Sequence, residues 1–487
     1  MVILILRIIE KLLIIYFSLY FIIDIGLFLY SLYVFSRKTR KQAPADKADY
    51  AGRRVSVIVP AYNEEVSIVH CTELLLEQDY PDYEVILVND GSRDKTLEVL
   101  LKHFDFQEFS ARQENPFVTR PVKKTYQVPG SKLILIDKEN GGKADSINAG
   151  INISTGSFIC TIDADSILDP NALKEVVRPF ILNPDTIVSG GQLAASNDMV
   201  LVHNRVVSAK TPRNIWVIWQ IIEYIKSFMI SRIGLSRINA LLIMSGAFSL
   251  YRKKDLLEAG GFLTSINKHP YILQSLGVGK QTVCEDMEIV VRLWRYKKEH
   301  KSKAKATFLP EPVCWTEVPD NGKNLFKQRS RWHQGMAETL ILHQKMMFEP
   351  FYGSTGLMGI PYYFFFEMFS PLIKIFTLFF IVISSWYGLF NFRWALLLFL
   401  SVMLTTAVIL SSITAIIENW SSKRYDANRD ALRYKSFGDW LWLITAGILA
   451  EFSYSFIKIF AQVQGLWNFA RGKNDWNKFA RKGVQKL

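Results

Sequence analysis

The sequence predicts an α/β domain built on a mostly parallel sheet and set between helices that cross or lie on a membrane. Three observations lead there. Short runs rich in Val and Ile alternate with helical patterns from residue 55 to residue 162, the signature of repeated strand–helix units. Apolar runs of spanning length flank this region. Basic residues crowd beside those runs, as the charge bias of cytoplasmic loops requires.

Composition agrees. The 487 residues exceed one small domain, and a 49% hydrophobic content with a mean hydropathy of +0.12 is high for a soluble protein of this size. The net charge of +13 suits anionic lipid or a phosphate-bearing substrate. With no nucleic-acid-binding module in the chain, nucleic acid is not an expected partner. Cys71, Cys160, Cys284 and Cys314 have no paired short spacing, so reduced thiols facing the cytoplasm are expected rather than a zinc site or disulfides.

The elements follow in order. Residues 12–35 are apolar except for Asp24, long enough to span and longer than a cleavable leader, and Arg37, Lys38, Arg40 and Lys41 place the following segment in the cytoplasm. Strands are expected at 55–59, 84–88, 133–136 and 158–162, with helices at 64–77, 94–102 and 143–151. Residues 105–132 read as an inserted loop. Residues 215–230 read as an interfacial helix with Gln220, Glu223, Lys226 and Ser227 on one face. Spanning helices are expected at 369–389 and 394–417.

The run at 440–461 is interrupted by Glu451 and Lys458 and precedes the basic residues Arg471, Lys473, Lys478, Arg481, Lys482 and Lys486. A crossing there would put that tail outside, against the charge bias. Three crossings and one interfacial or re-entrant helix are therefore expected, with four crossings as the alternative. Glu367 reads as interfacial, and Asp24 as a partner in an interhelical hydrogen bond. The resulting division is an anchor at 1–36, a cytoplasmic domain at 53–345, two crossings within 361–417, and a final helix with its basic tail at 439–487.

Four motifs carry chemistry. Asp90 ends the second predicted strand, and Asp163-Ala164-Asp165 ends the fourth. Ligands of such sheets bind beyond the strand C-termini, and two carboxylates one residue apart suit a hard divalent cation gripping a diphosphate. Taken alone, Asp-x-Asp more often marks a solvated turn; its place after another strand-end Asp reverses that reading. In Cys284-Glu285-Asp286-Met287-Glu288 one carboxylate suits a general base, although an acidic first helical turn is equally well explained by the macrodipole. Gln328-Arg329-Ser330-Arg331-Trp332 offers an Arg for phosphate and a Trp for a sugar face; a basic interfacial helix would look the same.

In this order the motifs resemble the membrane-integrated, processive branch of glycosyltransferase family 2, which includes cellulose, hyaluronan, poly-N-acetylglucosamine and chitin-oligosaccharide synthases. The resemblance starts at Pro60-Ala61-Tyr62-Asn63-Glu64. It continues through Asn89–Ser92, Gly141-Gly142-Lys143, Asp163–Asp165, Ser245-Gly246-Ala247-Phe248 and Glu285-Asp286 to Gln328–Trp332. It implies a nucleotide-sugar-binding fold of the GT-A type and inverting transfer from a UDP-sugar to a carbohydrate or lipid acceptor at the plasma membrane, among membrane lipids.

Residue by residue, the resemblance implies that Asp90 contacts the uridine and Lys143 the nucleotide. Asp163 lies near the diphosphate and, with Asp165, binds Mg2+ or Mn2+. Asp286 is the catalytic base, with Glu285 as the second candidate. Arg331 offsets leaving-group charge, Gln328 helps close the site, and Trp332 floors the acceptor sugar. Trp476 and Arg481 resemble, more loosely, a segment that covers the donor in some relatives. A processive synthase, a single-transfer glycolipid enzyme and an inactive export subunit are the alternatives; retention of every acidic motif speaks against the last.

Overall fold

The computed structural model describes residues 1–41, 49–110, 116–202, 204–389, 392–424 and 432–473. Its strands are β1 (Val55–Ala61), β2 (Tyr83–Asp90), β3 (Gln107–Glu108), β4 (Val122–Gln127), β5 (Leu133–Lys138) and β6 (Phe158–Ile162). Then come β7 (Ile167–Leu168), β8 (Thr186–Ala195), β9 (Met199–Val202), β10 (Arg205–Ala209), β11 (Phe248–Arg252) and β12 (Lys305–Thr316). All but the β9–β10 hairpin join one sheet in the order β3-β4-β5-β2-β1-β6-β11-β8-β12-β7. The centre, β5-β2-β1-β6, is parallel, as predicted, and β12 runs parallel to β8. Antiparallel neighbours flank that centre. Strand β2 is buried along its whole length, which is why the central strands read as continuous apolar runs rather than alternating ones.

The helices are α1 (Val2–Lys41), α2 (Ile68–Leu76), α3 (Thr96–His103), α4 (Lys143–Ile153) and α5 (Ala172–Leu182). Beyond the central strands lie α6 (Ile215–Lys226), α7 (Ile233–Arg237), α8 (Lys253–Ala259), α9 (Pro270–Ser275), α10 (Glu285–Glu299) and α11 (Gly322–Leu342). The last four are α12 (Ser370–Trp386), α13 (Phe392–Arg424), α14 (Phe437–Leu449) and α15 (Ser455–Ala470).

Several expectations change. The stretch at 105–132 is not merely a loop, because β3 and β4 extend the sheet edge. The exposed Lys123 and Lys124 on β4 hide its alternation from a sequence reading, and charged side chains on an edge strand discourage further pairing. Strand β8 is wholly buried yet contains Ser189-Gly190-Gly191-Gln192, a composition that dilutes the strand signal. Helix α6 forms as predicted, but its polar face turns inward. Gln220 donates to Pro319 O at 2.7 Å, and Trp219 Nε1 donates to Ala446 O at 2.8 Å.

At the membrane level, Val2–Val34 and Phe437–Ala470 are long and apolar enough to cross a membrane. Thr355–Met368 with α12, bent by 44°, is a third such length if counted as one. Asp24 accepts a hydrogen bond from the Tyr362 hydroxyl at 3.1 Å, the interhelical bond expected of it. Glu367 lines a cavity beside Tyr362. The C-terminal helix returns to the α/β domain at both ends. Near its start Arg433 Nη2 donates to Ala195 O at 2.7 Å and Trp442 Nε1 to Pro212 O at 2.9 Å; at its end Gln334 Nε2 donates to Lys473 O. All four cysteines are free and buried.

Candidate active site

The C-terminal ends of the parallel strands supply the first half of the site. Asp90 is the last residue of β2, and its carboxylate is already engaged. It accepts from Gly141 N at 2.9 Å, Gly142 N at 2.8 Å and Asn140 Nδ2 at 3.1 Å, and pairs with Lys138 Nζ at 2.8 Å. Two of those donors open α4, whose N-terminus favours an anion. Lys138 also pairs with Asp145 at 2.7 Å. Asp90 therefore anchors the loop that presents Lys143 as well as lining the cavity. Spacing had not marked Lys138 or Asp145, because a buried ion pair leaves no periodic trace.

Asp163 and Asp165 follow β6 and line the same cavity. Lys143, the first residue of α4, sits between Asp163 Oδ1 at 2.6 Å and Glu285 Oε1 at 3.0 Å, and donates to Gly246 O at 3.0 Å. Burial alone would lower its pKa, but Asp163, Glu285 and Asp286 outweigh burial and raise it. The ammonium therefore stays charged.

Asp286 belongs to the first turn of α10. Its Oδ2 accepts from Gly246 N at 2.9 Å and its Oδ1 from Met287 N at 2.9 Å. Gly246 thus touches Asp286 with its N–H and Lys143 with its carbonyl. A Cβ there would meet Asp286 Oδ2 and Lys143 Nζ, each at 3.1 Å, which gives a physical reason for glycine in Ser245-Gly246-Ala247. Burial, and then the Glu285 carboxylate, push Asp286 up to about 6 against the pull of Lys143. Such a value suits a base working near neutral pH. Glu288, the third carboxylate of the segment, points into a buried pair with Arg292 at 2.7 Å and also contacts His343 at 3.2 Å.

Helix α11 brings Gln328, Arg331 and Trp332 to the same cavity. Trp332 is 39% exposed, with the Arg329 guanidinium 4.2 Å from its ring centroid. The Cys284 thiol lies against the carbonyls of Arg331 and Trp332 and joins the base segment to this helix. Arg329, passed over in favour of Arg331, is buried and pairs with Glu223 of α6 at 2.5 Å. Trp476 and Arg481 lie outside the described residues.

Asp90, Asp163 and Asp165 from the C-terminal ends of the strands, Lys143 between Asp163 and Glu285, and Asp286 thus line one cavity with Trp332. Residues 158–453 match the family described as Glycosyl transferase family group 2, and residues 56–258 match Glycosyl transferase family 2. The chain belongs to the family 2 glycosyltransferases and is a glycosyltransferase. The poly-beta-1,6-N-acetyl-D-glucosamine synthase of Staphylococcus epidermidis is 25% identical over 59% of this chain and 55% of its own length. The corresponding synthase of Staphylococcus aureus is 24% identical over 59% of this chain and 55% of its own. The chain thus spans about half the length of these curated relatives. A mannosyltransferase of Pyrobaculum calidifontis, solved with GDP-Man and Mn2+, shares the fold: TM-score 0.51, 17% identity, 96% of this chain and 99% of that one.

Proposed function

We propose that the chain is a membrane-embedded, inverting synthase that extends a β-linked polysaccharide from a UDP-sugar on the cytoplasmic face and passes the product toward its membrane helices. One observation supports this reading above the others. One cavity of about 1130 Å³ is lined both by Asp163, Lys143, Asp286 and Trp332 and by Asp24 of α1 and Lys374 of α12. Its volume exceeds what one nucleotide sugar needs, and where α1 and α12 line it Tyr20, Asp24 and Lys374 are mixed with Phe17, Leu378 and Ile381. Such a mixed lining suits a chain with hydroxyl edges and apolar ring faces.

In this reading Lys143 meets the donor diphosphate and Asp286 takes the proton of the acceptor hydroxyl, which attacks the anomeric carbon opposite the diphosphate. Arg331 faces the leaving group, while Gln328 and Trp332 hold the acceptor sugar. Asp163 and Asp165 fit Mg2+ or Mn2+, being two hard carboxylates on one cavity wall that leave coordination positions to diphosphate and water. Among the described residues no group of three or more Asp, Glu, His or Cys side chains is placed to hold a metal ion by itself. When bound, the cation offsets charge on the departing diphosphate.

The test is nucleoside diphosphate release by the purified full-length protein across a panel of nucleotide sugars, followed by sizing of the radiolabelled product. A long polymer is expected. A single sugar on lipid would replace the synthase with a glycolipid-forming enzyme, and absence of release with every donor would remove the UDP-sugar reading.

A further inference from the structure

Arg329 lies between Gln328 and Trp332 in the α11 sequence and touches both. It donates to Gln328 Oε1 at 2.5 Å, and its guanidinium lies 4.2 Å from the centroid of the Trp332 ring. On its other side Nε and Nη2 donate to Glu223 Oε2 at 3.1 and 2.5 Å, and Nη2 donates to the Tyr454 hydroxyl at 3.2 Å. The Tyr454 hydroxyl also donates to Glu223, and Lys458 Nζ reaches Glu223 Oε1 at 3.3 Å. Glu223 comes from α6 and Tyr454 from the C-terminal helix. Neither belongs to a motif that marked the site.

Such a cluster is not an economical way to hold helices together. Buried ion pairs are often no more stabilising than apolar residues of the same size, so geometry is the better account of this one. Burial would raise Glu223, but Arg329 and Lys458 outweigh it and hold the carboxyl down to about 2, keeping the cluster ionised. The C-terminal helix is also locally widened to a π turn over Ala450–Tyr454. Insertions of this kind re-aim side chains and occur frequently at functional sites; here the turn ends on the hydroxyl that meets Glu223.

We propose that Glu223 and Tyr454 are positioning residues for the acceptor. Acting through Arg329, they fix the Gln328 amide and the Trp332 ring at the orientation that brings an acceptor hydroxyl to Asp286. The inference rests on the acceptor role of Gln328 and Trp332 proposed above. On the donor side, Lys143 of α4 and Asp163 after β6 are held by contacts that do not involve Glu223, Tyr454 or Arg329, so the two sides are separable even though Arg331 shares α11 with the platform. Loosening the platform leaves the donor bound and activated but lets water compete with the acceptor.

The experiment measures sugar incorporated into polymer per nucleoside diphosphate released, using the full-length protein and the nucleotide sugar selected by the donor panel. Tyr454→Phe and Glu223→Gln are each expected to lower this ratio about tenfold, the scale set by misplacing a reactant by a fraction of an ångström, while total release stays near wild type. Arg329→Lys, which keeps charge but loses the planar fork, is expected to behave alike. Trp332→Ala tests the underlying reading separately, since an unchanged ratio in that variant would remove the acceptor role of the platform. A lowered ratio for Trp332→Ala with unchanged ratios for Glu223→Gln and Tyr454→Phe would overturn the positioning role alone. Equal loss of incorporation and release in Tyr454→Phe would also overturn it, by assigning the cluster to structure only.

Discussion

Asp286 sits where two influences oppose each other. A helix N-terminus favours its anion, while burial and the adjacent Glu285 favour the acid, and the balance leaves it at about 6. A base must be ionised, so kcat/KM of the free enzyme is expected to fall about tenfold per pH unit below that value and to level off above it. Because Glu285 is one of the groups pushing Asp286 up, Glu285→Gln should move this acid limb to lower pH. A limb that stays in place would show that Glu285 does not act on the base. Asp286→Asn should cost about 10²–10⁴-fold in transfer with donor binding nearly intact, as equilibrium binding of a donor analogue would show. Asp165→Ala should abolish activity together with its response to added Mg2+ or Mn2+. Full wild-type activity in a chelator would refute the metal-assisted reading.

At the scale of elements, the site depends on how closely α10 and α11 approach. Gly335 lies where a Cβ would meet the Cys284 side chain and come within 2.9 Å of Cys284 N, so the base segment and the platform helix are in near-backbone contact. Gly335→Ala should push α11 away from α10. Overpacking of this kind costs ~1–3 kcal/mol, to be read as a lowered Tm, and the displacement of Trp332 relative to Asp286 should lower kcat beyond what stability explains. An unchanged Tm and kcat would mean the two helices yield freely. This contact was not legible in sequence. The spacing Gln328–Trp332 announced a functional helix, but nothing local records that Gly335, two turns beyond Gln328, faces a cysteine some fifty residues earlier (Cys284).

For the molecule as a whole, the C-terminal helix is the open element. Phe437–Ala470 is long and apolar enough to cross, yet both of its ends hydrogen-bond to the α/β domain. A helix crossing a bilayer would have one end on the far side. Together with the basic residues that follow, this favours the proposal that the C-terminal helix lies along the membrane interface rather than crossing it, in line with the charge bias. Phe437→Cys and Lys473→Cys place single exposed thiols at the two ends, with the buried native cysteines as background. A membrane-impermeant thiol reagent should label neither in intact cells and both in inverted vesicles. Labelling of one end in intact cells would restore a fourth crossing and separate Tyr454 from the platform it is proposed to position.

What a sequence can express is local. Apolar period, strand-end acids and motif order were enough for the parallel core of β1, β2, β5 and β6, for α4 opening at Lys143, and for the set of residues that meet in one cavity. Each depends on neighbours within a few positions, or on strand ends that parallel pairing must bring to one edge. Contacts between distant segments with no shared period were not expressible: Lys143 between Asp163 and Glu285, Asp90 closed over α4, and Glu223 with Tyr454 on Arg329. A buried charge reads the same as a solvated one until its partner is known, because its burial is tolerated only when another segment supplies the opposite charge. Tertiary packing chose those partners: Arg329 and Arg331 both line the cavity, and Arg329 is the one drawn to Glu223 and Tyr454.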